Sequence, residues 1–247
     1  MNLLEPDTVI SQSSLKPIYL CADSQLLFWK ENDALFLNSL RNFIDGSSPK
    51  AAYLGASNDH NPDFYELFQA AMGNIGVHRC RMIHSGSSLE DAAFLSEADI
   101  ILLAGGEIEK GWREFSSNGL KELILKRYDE GALLVGTSAG AVQLGLYGWA
   151  GSEPADDLFS VFQLAPFVVS VHEEEPDWPR LRKAIRLAGH GVSGIGIAAG
   201  GGLIYHPNRT VEPIRFPLCE LTMNGEQFTQ SMLCPITESP QEAPQVC

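Results

Sequence analysis

A serine lies in a glycine-flanked turn in the segment Gly136-Thr137-Ser138-Ala139-Gly140. The apolar run before the turn predicts a buried strand, and the small residues after it predict the start of a helix. Glycine on both sides lets the backbone turn sharply enough to expose the Ser138 hydroxyl at the positive end of that helix. The segment is therefore typical of a nucleophile elbow, in which a serine attacks a carbonyl carbon.

A second strand-like run, residues 101–103, leads into the pair Gly105 and Gly106 and then into Glu107. One interpretation of this pair is an ordinary turn between a strand and a helix. The pair comes directly before the strand and turn that contain Ser138, which favours a second interpretation. In it, neighbouring strands bring the N–H group of Gly106 opposite that of Ala139. Two such donors would form an oxyanion hole.

A nucleophilic serine needs a base, and His172 is the strongest candidate among the six histidines. It ends an apolar strand-like run and precedes an acidic segment, so a buried strand leads into a polar loop at this residue. A competing interpretation is an α/β-hydrolase esterase with the order Ser138, then Asp156 or Asp157, then His206. The second half of the chain contains few strand–helix units for that fold.

Strand-like and helix-like segments alternate along the chain, which predicts an α/β fold with three layers and a mainly parallel sheet covered by helices on both faces. The predicted strands are 18–21, 51–56, 77–83, 100–103 and 132–135, and the predicted helices are 33–43, 62–72, 89–95 and 112–128. After Ser138 we predict a β-prone run at 161–171, a helix at 178–187, an extended segment at 192–206 and edge strands beyond. Ligands bind at the carboxyl ends of the strands in such sheets, where Ser138 lies.

Composition indicates one globular domain over the 247 residues, with a flexible C-terminal tail at 238–247. The net charge of −14 argues against binding to nucleic acid or to an anionic membrane. The N-terminus does not read as a secretory signal, and no run approaches the length of a membrane span. Five scattered cysteines favour a reduced, cytoplasmic setting and indicate no zinc site, and we expect neither a metal nor an organic cofactor.

The chain resembles the S51 serine peptidases, the family of aspartyl dipeptidase (dipeptidase E) and cyanophycinase. The similar stretches are ILLAGGE at 101–107, GTSAGA at 136–141, the segment around His172 and GIGIAAGGGLIY at 194–205. The resemblance implies a sheet like that of the class I glutamine amidotransferases, with serine in place of cysteine. It also implies Ser138 as nucleophile, His172 as base, the N–H groups of Gly106 and Ala139 as oxyanion hole, and a homodimer.

The chain departs from the family pattern after the glycine pair and at the residues that should supply an acid to the histidine. Members usually carry asparagine where this chain has Glu107, and a carboxylate after the Gly-Ile-Gly-Ile strand, where this chain has Ala198, Ala199 and Gly200. That carboxylate orients the histidine and stabilises its protonated form. Three explanations stay open. A backbone carbonyl or water orients His172, most of the peptidase activity has been lost, or another acid takes over, the candidates being Glu174, Glu175 and Asp177.

Substrate preference follows from the resemblance, which implies cleavage beside aspartate in a short peptide or in a polymer with an aspartate backbone. Arg180 and Arg182 are candidates to bind the acidic group, although both also fit a solvent-exposed helix face. Glu107 would repel an acidic substrate or bind a free amino terminus, and Gly105 is a further candidate for substrate contact. We therefore expect a serine hydrolase that cleaves a small peptide or amide bond through an acyl-enzyme. The alternative is an impaired relative that binds a peptide or small ligand in the same pocket.

Overall fold

The computed structural model describes residues 15–44, 46, 48–154, 157–173 and 175–236. The tail at 238–247, Asp156 and Glu174 lie outside the described residues. Six α-helices are present there: α1 (Pro62–Asn74), α2 (Leu89–Ser96), α3 (Ile108–Ser117), α4 (Leu120–Asp129), α5 (Ala139–Leu144) and α6 (Pro179–Ala188). Three further segments, Ser24–Phe28, Phe36–Phe43 and Ala56–Asn58, are 3₁₀ helices.

Fifteen strands belong to the same described part of the chain. They are β1 (Ile18–Cys21), β2 (Lys30–Glu31), β3 (Ala34–Leu35), β4 (Lys50–Leu54), β5 (Arg79–Ile83), β6 (Ile100–Leu103), β7 (Leu133–Thr137), β8 (Tyr147–Gly148), β9 (Phe159–Ser160), β10 (Val168–Val171), β11 (Ser193–Ile197), β12 (Gly202–Tyr205), β13 (Val211–Ile214), β14 (Leu218–Asn224) and β15 (Gln227–Leu233).

A seven-stranded sheet in the order β13-β12-β1-β7-β6-β4-β5 forms the centre of the fold. Five neighbouring strands run parallel to one another, namely β1, β7, β6, β4 and β5. At one edge of the sheet, β12 pairs with β1 and β13 pairs with β12, both antiparallel. A second sheet has the order β10-β11-β14-β15, and only its β10–β11 pair is parallel. The predicted α/β fold with a mostly parallel central sheet is confirmed.

Alternating residues of the central strands pack into two apolar clusters, one on each face of the sheet. Ile18 and Leu20 of β1 belong to a cluster that also contains residues of α2 to α6. Tyr19 and Cys21 belong to a cluster that contains α1 and the first two 3₁₀ segments. This alternation is the period-two pattern of strands buried on both faces, and it holds the parallel strands in register.

Several predicted elements differ from the observed ones, each for a local reason. The predicted helix 112–128 is divided into α3 and α4 at Gly119, which has φ +80° and cannot continue a right-handed helix. The extended segment 192–206 becomes β11 and β12, which lie in different sheets on either side of a turn at Gly200. The predicted helix 33–43 is β3 followed by a 3₁₀ segment, and the run 161–171 is a strand only after Pro166.

Candidate active site

Ser138 lies between the end of β7 and the start of α5, with φ 51° and ψ −113°. A serine in this sparsely populated region of backbone conformation is typical of a nucleophile elbow. Its N–H group donates to the carbonyl of Cys21 at 3.0 Å, which fixes the turn against β1. Close packing explains the flanking glycines, because a Cβ on Gly136 would lie 2.6 Å from the Gly140 oxygen and one on Gly140 would overlap the Leu103 carbonyl.

His172 follows β10 directly and faces the serine. Its backbone N–H donates to Ile197 of β11 at 3.2 Å, so the second sheet holds the loop in place. The Nε2 atom of the ring lies 3.3 Å from Oγ of Ser138. That separation is within the range of a base and its nucleophile in a structure without substrate.

Asp23 lies near the other ring nitrogen of this histidine. Its Oδ2 atom is 3.9 Å from Nδ1 of His172. The carboxylate is held by two backbone donors: Gln25 N to Oδ1 at 2.8 Å and Gly200 N to Oδ2 at 2.7 Å. Sequence reasoning missed Asp23. The signal was available, since this residue comes just after β1, whose carboxyl end lies beside that of β7.

The acidic residues that follow His172 have other contacts. Glu173 is buried, with 2% of its side chain exposed, and accepts hydrogen bonds from the backbone N–H groups of Arg180 and Leu181 at the start of α6. The ion pair that His172 forms among the described residues is with Asp23, and not with the carboxylate of Glu175 or Asp177. In the part of the chain that the structure describes, Asp23 is thus the acid that pairs with His172 within 4 Å.

Burial lowers the pKa of His172 below its ordinary value, and the positive charge of Arg180 lowers it further. The negative charge of Asp23 and a hydrogen bond to the backbone of Ala22 act in the opposite direction and raise it. The net effect favours the neutral ring at pH 7. A neutral imidazole can accept the proton of a serine hydroxyl, which is what a general base requires.

The glycine pair packs directly against the nucleophile. A Cβ on Gly105 would lie 3.0 Å from the Cβ of Ser138. The side chain of Asn58 donates to the Gly105 carbonyl at 2.9 Å. Because the C=O and N–H groups of a trans peptide point in opposite directions, the N–H of Gly106 points away from Asn58. Gly106 has φ +138°, and a Cβ there would overlap the backbone of Ser57, so a glycine is required.

Two cavities meet at Ser138 and His172. The first, which we name the apolar cavity, has a volume of about 260 Å³ and lies towards α1. The second, the polar cavity, has a volume of about 410 Å³ and is lined by residues that include Glu107, Glu109 and Arg180. Gly106 lines both cavities. A substrate bound at the serine would thus have space on two sides with different chemistry.

The two candidate arginines are placed differently. Arg180 lines the polar cavity and donates to the Val171 carbonyl at 3.1 Å. Arg182 points elsewhere, donating to Gln230 at 2.7 Å and lying over the ring of Phe228. The structure therefore brings Arg180, and not Arg182, to the cleft.

His206, the base of the esterase interpretation, is not brought to Ser138. Its Nε2 lies 2.8 Å from Oε2 of Glu212. It follows Tyr205, which pairs with Ile18 at the opposite end of β1 from Ser138. The geometry therefore disfavours the order Ser138, Asp157, His206.

Solved structures share this fold at low sequence identity. A peptidase from an acI-B1 actinobacterium has a TM-score of 0.64 and 14% identity, with 90% of this chain and 98% of that chain covered. A protein assigned to peptidase E from Listeria monocytogenes EGD-e has a TM-score of 0.56 and 17% identity, with 88% and 98% covered. The fold is therefore of the peptidase E type. No curated protein shows significant similarity to the chain.

The chain belongs to peptidase family S51, whose sequence profile matches residues 18–211. This match includes the serine turn, the glycine pair, His172 and Asp23. Family membership supports a peptidase function. None of the described helices has the length and apolarity to cross a membrane.

Proposed function

We propose that the protein is a serine peptidase that cleaves a small peptide or amide bond through an acyl-enzyme. The observation that carries this proposal is the 3.3 Å separation between the His172 ring and the hydroxyl of a strained Ser138. The glycine pair beside the serine and the membership of family S51 support it.

The reaction begins when Oγ of Ser138 attacks the substrate carbonyl carbon and Nε2 of His172 takes the hydroxyl proton. The N–H groups of Gly106 and Ala139 donate to the oxygen that becomes negatively charged. His172 then gives the proton to the leaving amine, and the C–N bond breaks. Water attacks the ester with the same histidine as base, which releases the acid and restores Ser138.

Asp23 stabilises the imidazolium in this scheme by its charge rather than by a hydrogen bond, since 3.9 Å exceeds hydrogen-bond distance. The backbone of Ala22 also favours the protonated ring, since it raises the pKa of His172. The carboxylate of a hydrogen-bonded triad contributes about 10⁴-fold in rate. We infer a smaller contribution here and a slower peptidase.

The substrate class that the resemblance implies, an aspartyl dipeptide or a cyanophycin-like polymer, would use the polar cavity. Arg180 would bind the acidic group there, and Glu107 would bind a free amino terminus. Gly105 would contact the substrate backbone.

The alternative is an impaired member of the family that binds a peptide or small ligand in the same cleft. The observation in its favour is the gap between Asp23 and His172. An unassisted histidine would leave Ser138 a weak nucleophile.

Covalent labelling with a small fluorophosphonate tests the proposal and separates it from the alternative. We expect one adduct per folded chain by intact mass, mapped to Ser138 by peptide sequencing, and none on the urea-unfolded chain. Folded protein that stays unlabelled would contradict the proposal and favour the impaired member.

The pH dependence of labelling tests the charges around His172. Because the base must be neutral and its pKa is lowered, the rate should fall to half its maximum below about pH 6.5, the ordinary value for histidine. Arg180→Gln removes a charge that lowers this pKa, so the midpoint should move to higher pH. Asp23→Asn removes a charge that raises it, so the midpoint should move to lower pH and the plateau rate should fall about 10- to 100-fold.

Arg182→Gln is the matched control for Arg180→Gln, because Arg182 lies on the same helix and outside the cleft. Its midpoint should equal that of the native protein. Midpoints that move in the same direction in Arg180→Gln and Asp23→Asn would refute the assigned roles of the two charges.

A further inference from the structure

We infer that the substrate places an apolar group, aromatic or branched aliphatic, in the apolar cavity beside Ser138. The inference rests on the proposed function and specifies its substrate. It differs from the preference for aspartate that the family resemblance implies. The walls of this cavity carry the argument.

Apolar side chains form most of the wall. They come from the first 3₁₀ segment, β4, α1 and β6, namely Leu27, Tyr53, Phe64, Leu67, Phe68 and Leu102. The volume of about 260 Å³ exceeds the roughly 150 Å³ in which a protein cavity accommodates benzene. A phenyl or isobutyl group adjacent to the scissile bond would therefore fit.

Two polar side chains in the wall, Asn58 and Thr137, are already engaged within the protein. The Asn58 side chain donates to the Tyr53 hydroxyl at 3.1 Å and to Gly105, and its oxygen accepts from Asn61 at 3.1 Å. The Thr137 hydroxyl donates to the Leu103 carbonyl. A polar substrate group would therefore lose its water and gain few partners in this cavity.

The charges in the wall disfavour an acidic group. Asp23 lines the cavity, and none of the described lining residues is a lysine or an arginine. A carboxylate placed there would face a like charge without a compensating cation. An apolar group carries no such penalty.

Two exposed side chains mark the mouth of the cavity. Phe64 and Leu67 lie three residues apart on one face of α1, with 48% and 42% of their surface exposed. An apolar substrate group would cover this surface, and its removal from water would favour binding.

The test compares two fluorophosphonates of equal chain length, one ending in a phenyl ring and one in a carboxylate. We expect the phenyl probe to label Ser138 about 10-fold faster or more, which is the size of effect that burial of an aromatic ring produces. Because both probes react with the same serine, the ratio of their labelling rates does not depend on how reactive Ser138 is. Equal rates, or a faster carboxylate probe, would overturn the inference and leave the proposed function standing.

Leu67→Arg places a cation at the mouth of the cavity, so the ratio should fall about 10-fold or more. Phe64→Arg is a second variant at the same rim with the same expectation. Leu187→Arg is the matched control, because Leu187 is 40% exposed on α6 and outside both cavities, and its ratio should equal the native one.

A ratio unchanged in both rim variants would show that the preference arises elsewhere and would overturn the inference. No labelling of folded protein by either probe would instead refute the proposed function. The two failures are thus distinguishable in one experiment.

Discussion

Ser138→Ala is expected to abolish fluorophosphonate labelling while the protein stays folded. Alanine lacks the attacking oxygen. It carries a Cβ as serine does, so the strain of the backbone conformation at position 138 should be unchanged. Intact mass measures the adduct, and the thermal midpoint measures the fold. Ser116→Ala, at an exposed position on α3, is the control and should label at the native rate.

His172→Ala extends this prediction to the base. Labelling should slow by about 10²- to 10⁴-fold, the usual contribution of general-base catalysis, because Ser138 would keep its proton. His206→Ala removes a histidine that pairs with Glu212 away from the cleft, and it should leave the rate unchanged. A fast His172→Ala variant together with a slow His206→Ala variant would contradict the assignment and revive the esterase order.

The elements around the nucleophile were predictable because their signals are local. β1 and β6 match the predicted ranges 18–21 and 100–103, and β7 lies within two residues of its predicted bounds. A buried strand of the central sheet appears in the sequence as a short apolar run. A glycine-flanked serine directly after such a run is typical of a sharp turn between a strand and a helix. The segments that position Ser138 were therefore readable from neighbouring residues alone.

Asp23 was not predictable in the same way, because its role depends on which strands become neighbours. Its carboxylate meets His172 only when β1 pairs with β7 and the β11–β12 turn brings Gly200 to Oδ2. The family pattern directed attention to residues 198–200, where the acid is missing. The structure shows that this turn supplies an N–H group to an acid from elsewhere.

The split of the extended segment 192–206 has the same origin. β11 and β12 are both strand-like in sequence, yet one pairs with β10 and the other with β1. Sheet membership is a property of tertiary packing, and strand propensity does not encode it. The backbone of His172 binds β11 in the second sheet, while its ring reaches Ser138, which directly follows β7 of the central sheet.

Gly140→Ala is expected to cause the largest loss of stability among single-methyl substitutions at the elbow. The added Cβ would overlap the carbonyl of Leu103, a backbone atom of β6 that cannot rotate away. Either α5 or β6 must move, and overpacking of this kind costs about 3 kcal/mol, the upper part of its usual range. For a chain of this size the thermal midpoint should fall by roughly 6–12 °C.

Gly73→Ala is the matched control for this substitution. Gly73 is also helical, in α1, but a Cβ there would meet no atom within 4 Å. Alanine in an open helical position stabilises by about 0.5–1 kcal/mol, so this variant should melt at or above the native temperature. Opposite signs for the same chemical change would show that packing of α5 against β6 holds the serine turn in place. A Gly140→Ala variant that melts with the native protein would contradict this role of the glycine.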